Sequence, residues 1–308
     1  MTQTPLEQLQ AFRPQFDHLI CIDSDGCAFD TMGIKQRECF CPWMITAFNL
    51  QPVAKAARQC KEFADLYSKT RGANRHITIK RILTELLPSH PQTAARGFAV
   101  PEYPAYFSWV DDPESLLSNE GLAAAIDATA DPTAKAELEA ILQWSERVNW
   151  AVGEIVRGIP PFPGVREALE GIAGRADAVV VSATPLEALV REWAEHQIDG
   201  HIQLICGQEM GTKAEHIESV GAAYDRDRVL MIGDAPGDLR AARRNGVLFF
   251  PVVPGEEEAS WGELTAEALD RFFAGSYRGA YMDGLLDRFD RALPERPPWE
   301  GSTCQNEM

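Results

Sequence analysis

The run HLICIDSDGCAFDT, residues 18–31, leaves an apolar segment and places Asp23, Asp25 and Asp30 within eight positions. Crowded carboxylates repel one another and cost folding energy unless something positive sits among them. A hard divalent cation is such a partner, because Mg2+ takes one or two carboxylates and completes its shell with waters and phosphate oxygens. Three further short stretches carry matching chemistry. Ser182 follows VVV, Lys213 follows the loop GQEMGT, and Asp234 and Asp238 lie in MIGDAPGD. An aspartate beside such an ion can attack phosphorus and form an aspartyl-phosphate. A second carboxyl can protonate the leaving oxygen and then deprotonate the incoming water. A hydroxyl and an ammonium can hold the phosphoryl oxygens as their charge develops.

For these residues to meet, they must stand at the carboxyl ends of neighbouring strands, where open parallel sheets bind their ligands. Five short apolar runs bounded by polar or turn residues read as buried strands: 18–22, 177–182, 202–206, 228–232 and 247–250. Helical stretches at 165–173, 185–197, 212–220 and 236–244 supply the crossovers. The alternation predicts an α/β fold, a doubly wound, mostly parallel five-stranded sheet. Asp23, Ser182 and Asp234 end or directly follow three of these strands, and Lys213 opens the helix after a fourth.

One interval breaks the rhythm. Between the first and second strands lie more than 150 residues with helical spacing, including Val53, Ala56, Ala57, Cys60, Phe63, Ala64 and Tyr67, then Ile79, Ile82, Leu83, Leu86 and Leu87, then Leu138, Ile141, Leu142 and Val148. This reads as an all-helical domain inserted after the first strand, hinged at residues 31–33 and at the proline-rich GIPPFPG, 158–164. The expected division is therefore 1–32 with 158–255 as the α/β core, 33–157 as the inserted helical domain, and 256–308 as a C-terminal helical extension ending in a loose tail. Asp30 is expected to cap the first inserted helix or steady its hinge. Thr184-Pro185-Leu186-Glu187 reads as a capping box with proline at the first helical position.

The formal charge of −17 disfavours a nucleic-acid or anionic-membrane partner. No apolar run approaches a membrane span, and the polar opening MTQTPLEQLQAFRPQF lacks a signal-peptide pattern, so a cytoplasmic location is expected. The seven cysteines form no C-x-x-C pair and read as reduced, structural thiols. Residues 69–81 reverse the charge, with five basic residues and no acidic one. Arg71, Asn74, Arg75 and His76 in that stretch either solvate a helix face or form a loop that recognises a phosphorylated substrate. Nothing in the sequence sets an oligomeric state.

The motifs DSDGCAFD, VVVSAT, GTK and IGDAPGD resemble, in order, the four motifs of the haloacid dehalogenase superfamily. The helical insertion resembles the cap of its phosphatase-type members. The resemblance implies a Mg2+-dependent phosphatase that hydrolyses a small phosphorylated metabolite. It makes Asp23 the nucleophile and metal ligand. Asp25 becomes the general acid and base, lending its backbone carbonyl to the metal. Ser182, Lys213 and Gly26 become phosphate-binding. Asp234 becomes a metal ligand, and Asp238 either a further ligand or the group that orients Lys213. Two positions depart from the family pattern: Cys27 stands where threonine is usual, and Ala183 where asparagine is common. Asp25 argues against dehalogenation, because halide leaves without a proton. Phosphonatase or phosphosugar mutase chemistry on the same core, or a catalytically silent binding protein, are the alternatives.

Overall fold

A computed structural model describes residues 4–300. Its five strands are β1 (Leu19–Ile22), β2 (Asp177–Val181), β3 (Leu204–Cys206), β4 (Val229–Gly233) and β5 (Leu248–Pro251). They form one sheet in the order β3-β2-β1-β4-β5, with every neighbouring pair parallel. The strands fall where the apolar runs place them, with ends shifted by one or two residues. The order reverses at β1, so the chain's first strand is central and its carboxyl end opens at the switch point.

The apolar character of these strands has a direct cause, since both faces are covered. Ile20, Ile22, Ala178, Val180, Leu230, Ile232, Leu248 and Phe250 face one buried cluster with Val165, Leu169, Trp193 and Trp261. The alternate residues Leu19, Cys21, Val179, Val181, Met231 and Phe249 face a second, with Ile217, Val220, Ala242 and Phe289. Period-2 alternation thus serves two cores rather than a core and a solvent face.

The chain divides into two compact units: residues 4–32 with 158–293, and residues 33–157 with 294–300. The first contains the sheet and most of the C-terminal extension. Trp261, Leu264, Phe272 and Leu285 from that extension fill one face of the sheet, and Phe289 fills the other. Its acidic residues therefore ride on helices that cover the core. The two ends of the insertion lie side by side, where the Phe162 N–H donates to Ala28 O at 2.9 Å and Phe29 forms a bridge with Pro161.

The second unit is helical throughout. Its longest members are Ala54–Leu66 and Pro132–Ile155. At its centre Phe48 meets Trp144 edge to face and Tyr106 at a tilt, and of the spaced apolar residues only Tyr67 is exposed and Leu142 half-buried. Among the described residues, no helix is long and apolar enough to cross a membrane.

The expected loose tail is corrected at 294–300. There Pro294 O accepts from the Lys69 N–H at 3.3 Å, and Glu295 O accepts from Arg81 Nη2 at 2.6 Å. Trp299 packs against Phe63 and His90, at ring separations of 5.7 and 4.9 Å. A proline-rich segment gives no helical or strand period, so its packing is invisible to pattern reading. Deleting residues 294–308 is expected to lower the stability of the helical unit by roughly 1–3 kcal/mol, through lost aromatic burial and at least three lost hydrogen bonds, the one from Ser89 Oγ to Glu300 Oε1 included. Denaturant unfolding followed by tryptophan fluorescence checks this, and an unaltered midpoint refutes it.

Candidate active site

Beyond β1 the backbone folds into a tight loop. Ser24 O accepts from the N–H groups of Cys27, Ala28 and Phe29 at 3.3, 3.0 and 3.0 Å. Gly26 takes φ 78°, a conformation that costs other residues energy, and its N–H donates to Phe29 O at 2.8 Å. That bond closes the loop. The Trp261 indole N–H pins Cys27 O at 2.9 Å from the C-terminal extension. Cys27 itself is fully buried, and burial with the nearby charges of Asp234, Asp23 and Asp238 pushes its thiol well above the ordinary range. The thiol therefore stays protonated and fills space.

Four of the expected residues converge. Lys213 Nζ lies 2.8 Å from Asp23 Oδ2 and 2.6 Å from Asp238 Oδ1. Asp23, Asp234 and Asp238 are all buried, and each offers a carboxylate oxygen within 4.8 Å of the others'. Lys213 opens the helix Lys213–Gly221, which Thr212 and Glu215 cap reciprocally. A lysine at that end opposes the helix dipole, and the two aspartates compensate it. Burial works against its charge, but Asp23 and Asp238 outweigh that effect and hold it protonated above the usual lysine range.

Asp238 is fixed from both of its oxygens. Its Oδ2 accepts from the backbone N–H groups of Asp234 and Ala235 at 3.1 and 3.0 Å, while Oδ1 takes the lysine. It thus caps the helix Pro236–Asn245 and orients Lys213. Gly233 is required beside it, since a Cβ there would come within 2.5 Å of the Asp238 side chain.

The cluster's charge fits a divalent cation. Three buried carboxylates share one ammonium, an excess of negative charge in a dry site. Burial, reinforced by Asp238 and Asp234 and opposed by Lys213, pushes the Asp23 carboxyl well above the carboxylate range. A hard cation held by the side chains of Asp23 and Asp234 would remove that strain.

Asp25 is held differently. Thr31 Oγ1 donates to its Oδ1 at 2.5 Å, and Thr184 Oγ1 donates to its Oδ2 at 2.6 Å. Sequence reading missed both threonines. The expected capping box does not form: Pro185 occupies the N-cap of the helix Leu186–Glu195, and the Leu186 N–H donates to Glu209 Oε2 at 2.9 Å. Freed from capping, the Thr184 hydroxyl reaches Asp25. Ser182 directly follows β2 and is nearly fully buried, its Oγ accepting from the Thr184 N–H at 3.2 Å. Asp30 stands exposed just before the helix Thr31–Ile34, outside the buried cluster.

The four residues from the basic stretch lie in the helical unit, engaged there. Arg71 is buried and donates to Leu66 O at 2.8 Å. Asn74 caps the helix Arg75–Arg81, accepting from the His76 N–H at 2.9 Å and donating to Leu117 O at 2.8 Å. Arg75 donates to Ser145 and Asn149. His76 is buried against Tyr106, Trp109 and Trp144, with Nδ1 3.0 Å from the Tyr106 hydroxyl. Burial, aided by the Arg75 charge, pushes its pKa down to about 3.

His76 therefore carries a testable sign. The unfolded chain binds its proton below about pH 6.5, while the folded unit excludes it down to about pH 3. Stability contributed by neutral His76 is complete above pH 6.5 and falls by about 1.4 kcal/mol per pH unit as pH drops through that window. In His76→Phe this slope is expected to flatten, as read by denaturant unfolding between pH 7 and 4 (roughly the usable range); an unchanged slope refutes it.

Residues 117–252 match the haloacid dehalogenase-like hydrolase family. A 5'-nucleotidase of Pseudomonas aeruginosa is 36% identical over 93 residues, which is 28% of this chain and 42% of that protein. The match therefore spans less than half of the relative. Among solved structures, a hydrolase from Pseudomonas syringae aligns with TM-score 0.43 at 14% identity, over 79% of this chain and 90% of its own. A haloacid dehalogenase-like family protein from Streptococcus pneumoniae aligns with TM-score 0.41 at 13% identity, over 79% and 90%. The stretch matched to the family holds Ser182, Lys213, Asp234 and Asp238, and the sheet carries Asp23 to the last three. Over residues 117–252 the chain is similar to the haloacid dehalogenase-like hydrolases.

Proposed function

We propose that this hydrolase is a Mg2+-dependent phosphatase that cleaves small phosphate monoesters through an aspartyl-phosphate on Asp23. The observation that carries the reading is Lys213 bridging Asp23 and Asp238 inside a buried three-carboxylate cluster at the switch point of the sheet. Asp23 and Asp234 side chains with the Asp25 backbone carbonyl would hold Mg2+, which when bound offsets the charge of the carboxylates and the phosphoryl oxygens.

Asp23 attacks phosphorus, and the ester P–O bond breaks as Asp25 delivers a proton to the leaving oxygen. Asp25 then takes a proton from the water that hydrolyses the acyl phosphate, which restores both carboxyl groups. The threonine hydroxyls suit this cycle, because a hydroxyl can donate to a carboxylate and accept from a carboxylic acid. Lys213 and Ser182 meet the phosphoryl oxygens. Asp25 also separates this reading from dehalogenation, where the departing halide takes no proton. We take the helical unit as the cap that selects the substrate. The six described cysteines are free, buried thiols, which suits a reducing, cytoplasmic setting.

The 5'-nucleotidase relative makes nucleoside 5'-monophosphates a sensible part of a test panel. With simple aryl phosphates and phosphosugars beside them, the expected result is phosphate release with Mg2+ and none after chelation. Release that persists in excess chelator, or no release from any monoester with Mg2+, overturns the proposal.

A further inference from the structure

Arg75 is built into the helical unit in an unusual way. Its Nη1 meets three oxygens: Asn149 Oδ1 at 2.7 Å, Ser145 Oγ at 3.0 Å and Ser145 O at 3.2 Å. Ser145 is fully buried and is itself fixed by donating to Asn119 Oδ1 at 2.6 Å. The guanidinium lies over the Phe40 ring, with Cζ 4.9 Å from its centroid. Anchor and stacking platform together leave the group little freedom.

All three acceptors are neutral, and no carboxylate pairs with Arg75 among the described residues. The contrast with Lys61 is informative. Its ammonium sits 4.9 Å from the same Phe40 ring and is fully buried, but Asp65 neutralises it at 2.8 Å. The fold thus supplies a counter-charge to one cation on this ring and withholds it from the other. Burial pushes the Arg75 pKa down to about 10, the mark of a charge left uncompensated. The remaining edge of the guanidinium, Nε with Nη2, has no protein partner among the described residues, and neither atom is sealed from solvent. That edge presents two parallel N–H groups, the fork that matches two oxygens of a carboxylate or phosphoryl group.

We propose that Arg75 is an anion-binding site of the helical unit, taking a carboxylate or phosphoryl group bidentately across its Nε–Nη2 edge. The anion is either a second charged group on the phosphatase substrate, which rests on the function proposed above, or a free anion, which does not. Ser145, Asn149 and Phe40 act as positioning residues that aim the fork.

Two measurements on the full chain decide it. In the first, the Arg75 Nε–H resonance of 15N-labelled protein is followed while inorganic phosphate or acetate is added, with the peak assigned by its loss in Arg75→Met. A saturable shift is expected. In the second, kcat/KM with Mg2+ is compared for 4-carboxyphenyl phosphate and phenyl phosphate. The ratio is expected to fall by about 10- to 100-fold in both Arg75→Met and Arg75→Lys, because lysine keeps the charge but lacks the fork. A shift with an unaltered ratio assigns the site to a free anion, and a lowered ratio assigns it to the substrate. No shift with either anion and an unaltered ratio overturns the site. If phenyl phosphate is not hydrolysed at all, the phosphatase reading fails while the titration still decides Arg75.

Discussion

Asp23→Asn is expected to lower kcat/KM on phosphate monoesters by about 10^4-fold or more while the protein stays folded. The amide is nearly isosteric with the carboxylate, and its oxygen can still accept from the Ser24 N–H, now at 2.8 Å from Oδ1. What it loses is nucleophilicity, and no other carboxylate on the loop is placed to replace it, since both oxygens of Asp25 are taken by hydroxyls. A second outcome separates this loss from misfolding. Without metal, the variant's thermal midpoint should not fall, because one of three mutually repelling buried carboxylates is gone and Lys213 keeps Asp238 at 2.6 Å. Added Mg2+ should raise the wild-type midpoint and raise the variant's less. Turnover above about 1% of wild type would remove Asp23 from the role of nucleophile.

Lys213→Met is expected to act on stability and chemistry together. Methionine fills similar volume but leaves Asp23, Asp234 and Asp238 without their ammonium. Removing one partner of a buried ionic cluster costs about 3–5 kcal/mol, more than the whole net worth of most surface pairs. The metal-free midpoint should therefore fall sharply, and saturating Mg2+ should recover part of the loss by supplying positive charge. Turnover should remain about 10^2- to 10^3-fold down even when Mg2+ restores the fold, because the phosphoryl oxygens lose a preorganised cation. Asp238→Asn offers the comparison. It keeps an oxygen for the Asp234 and Ala235 N–H groups yet weakens the hold on Lys213, so it should slow turnover with a smaller stability change. Equal midpoints for wild type and Lys213→Met would contradict this charge arrangement.

The strands were legible because burial on both faces leaves a local trace. Ile20 and Cys21 face different clusters, yet both must be apolar, so the run reads as a strand without knowledge of its neighbours. The residues that end those runs were legible for the same reason. Thr184 was not. Its tetrapeptide carries the letters of a capping box, and only the placement of Glu209 at the Leu186 N–H shows why the box is not used. The basic stretch hid a related difference. Arg71, Asn74, Arg75 and His76 look alike as polar residues on a loop, but His76 is sealed among aromatic rings from two other helices, and Arg75 alone keeps an open fork. Cys304 and the rest of 301–308 lie outside the described residues. Residues 294–300 have no periodicity to reveal that Trp299 has a seat between Phe63 and His90.

The amino-acid order by itself determined the α/β class, the helical insertion after the first strand, and the set of strand-end groups available for phosphoryl chemistry. These follow from periodicity and turn chemistry, which act over a few residues. The tertiary structure decided which groups pair. Asp238 holds Lys213 across 25 positions, Thr184 holds Asp25 across 159, and Trp261 pins Cys27 across 234. Such bonds form only when the sheet has brought distant strand ends together, and their 2.6 to 2.9 Å geometry depends on that closure rather than on any local pattern.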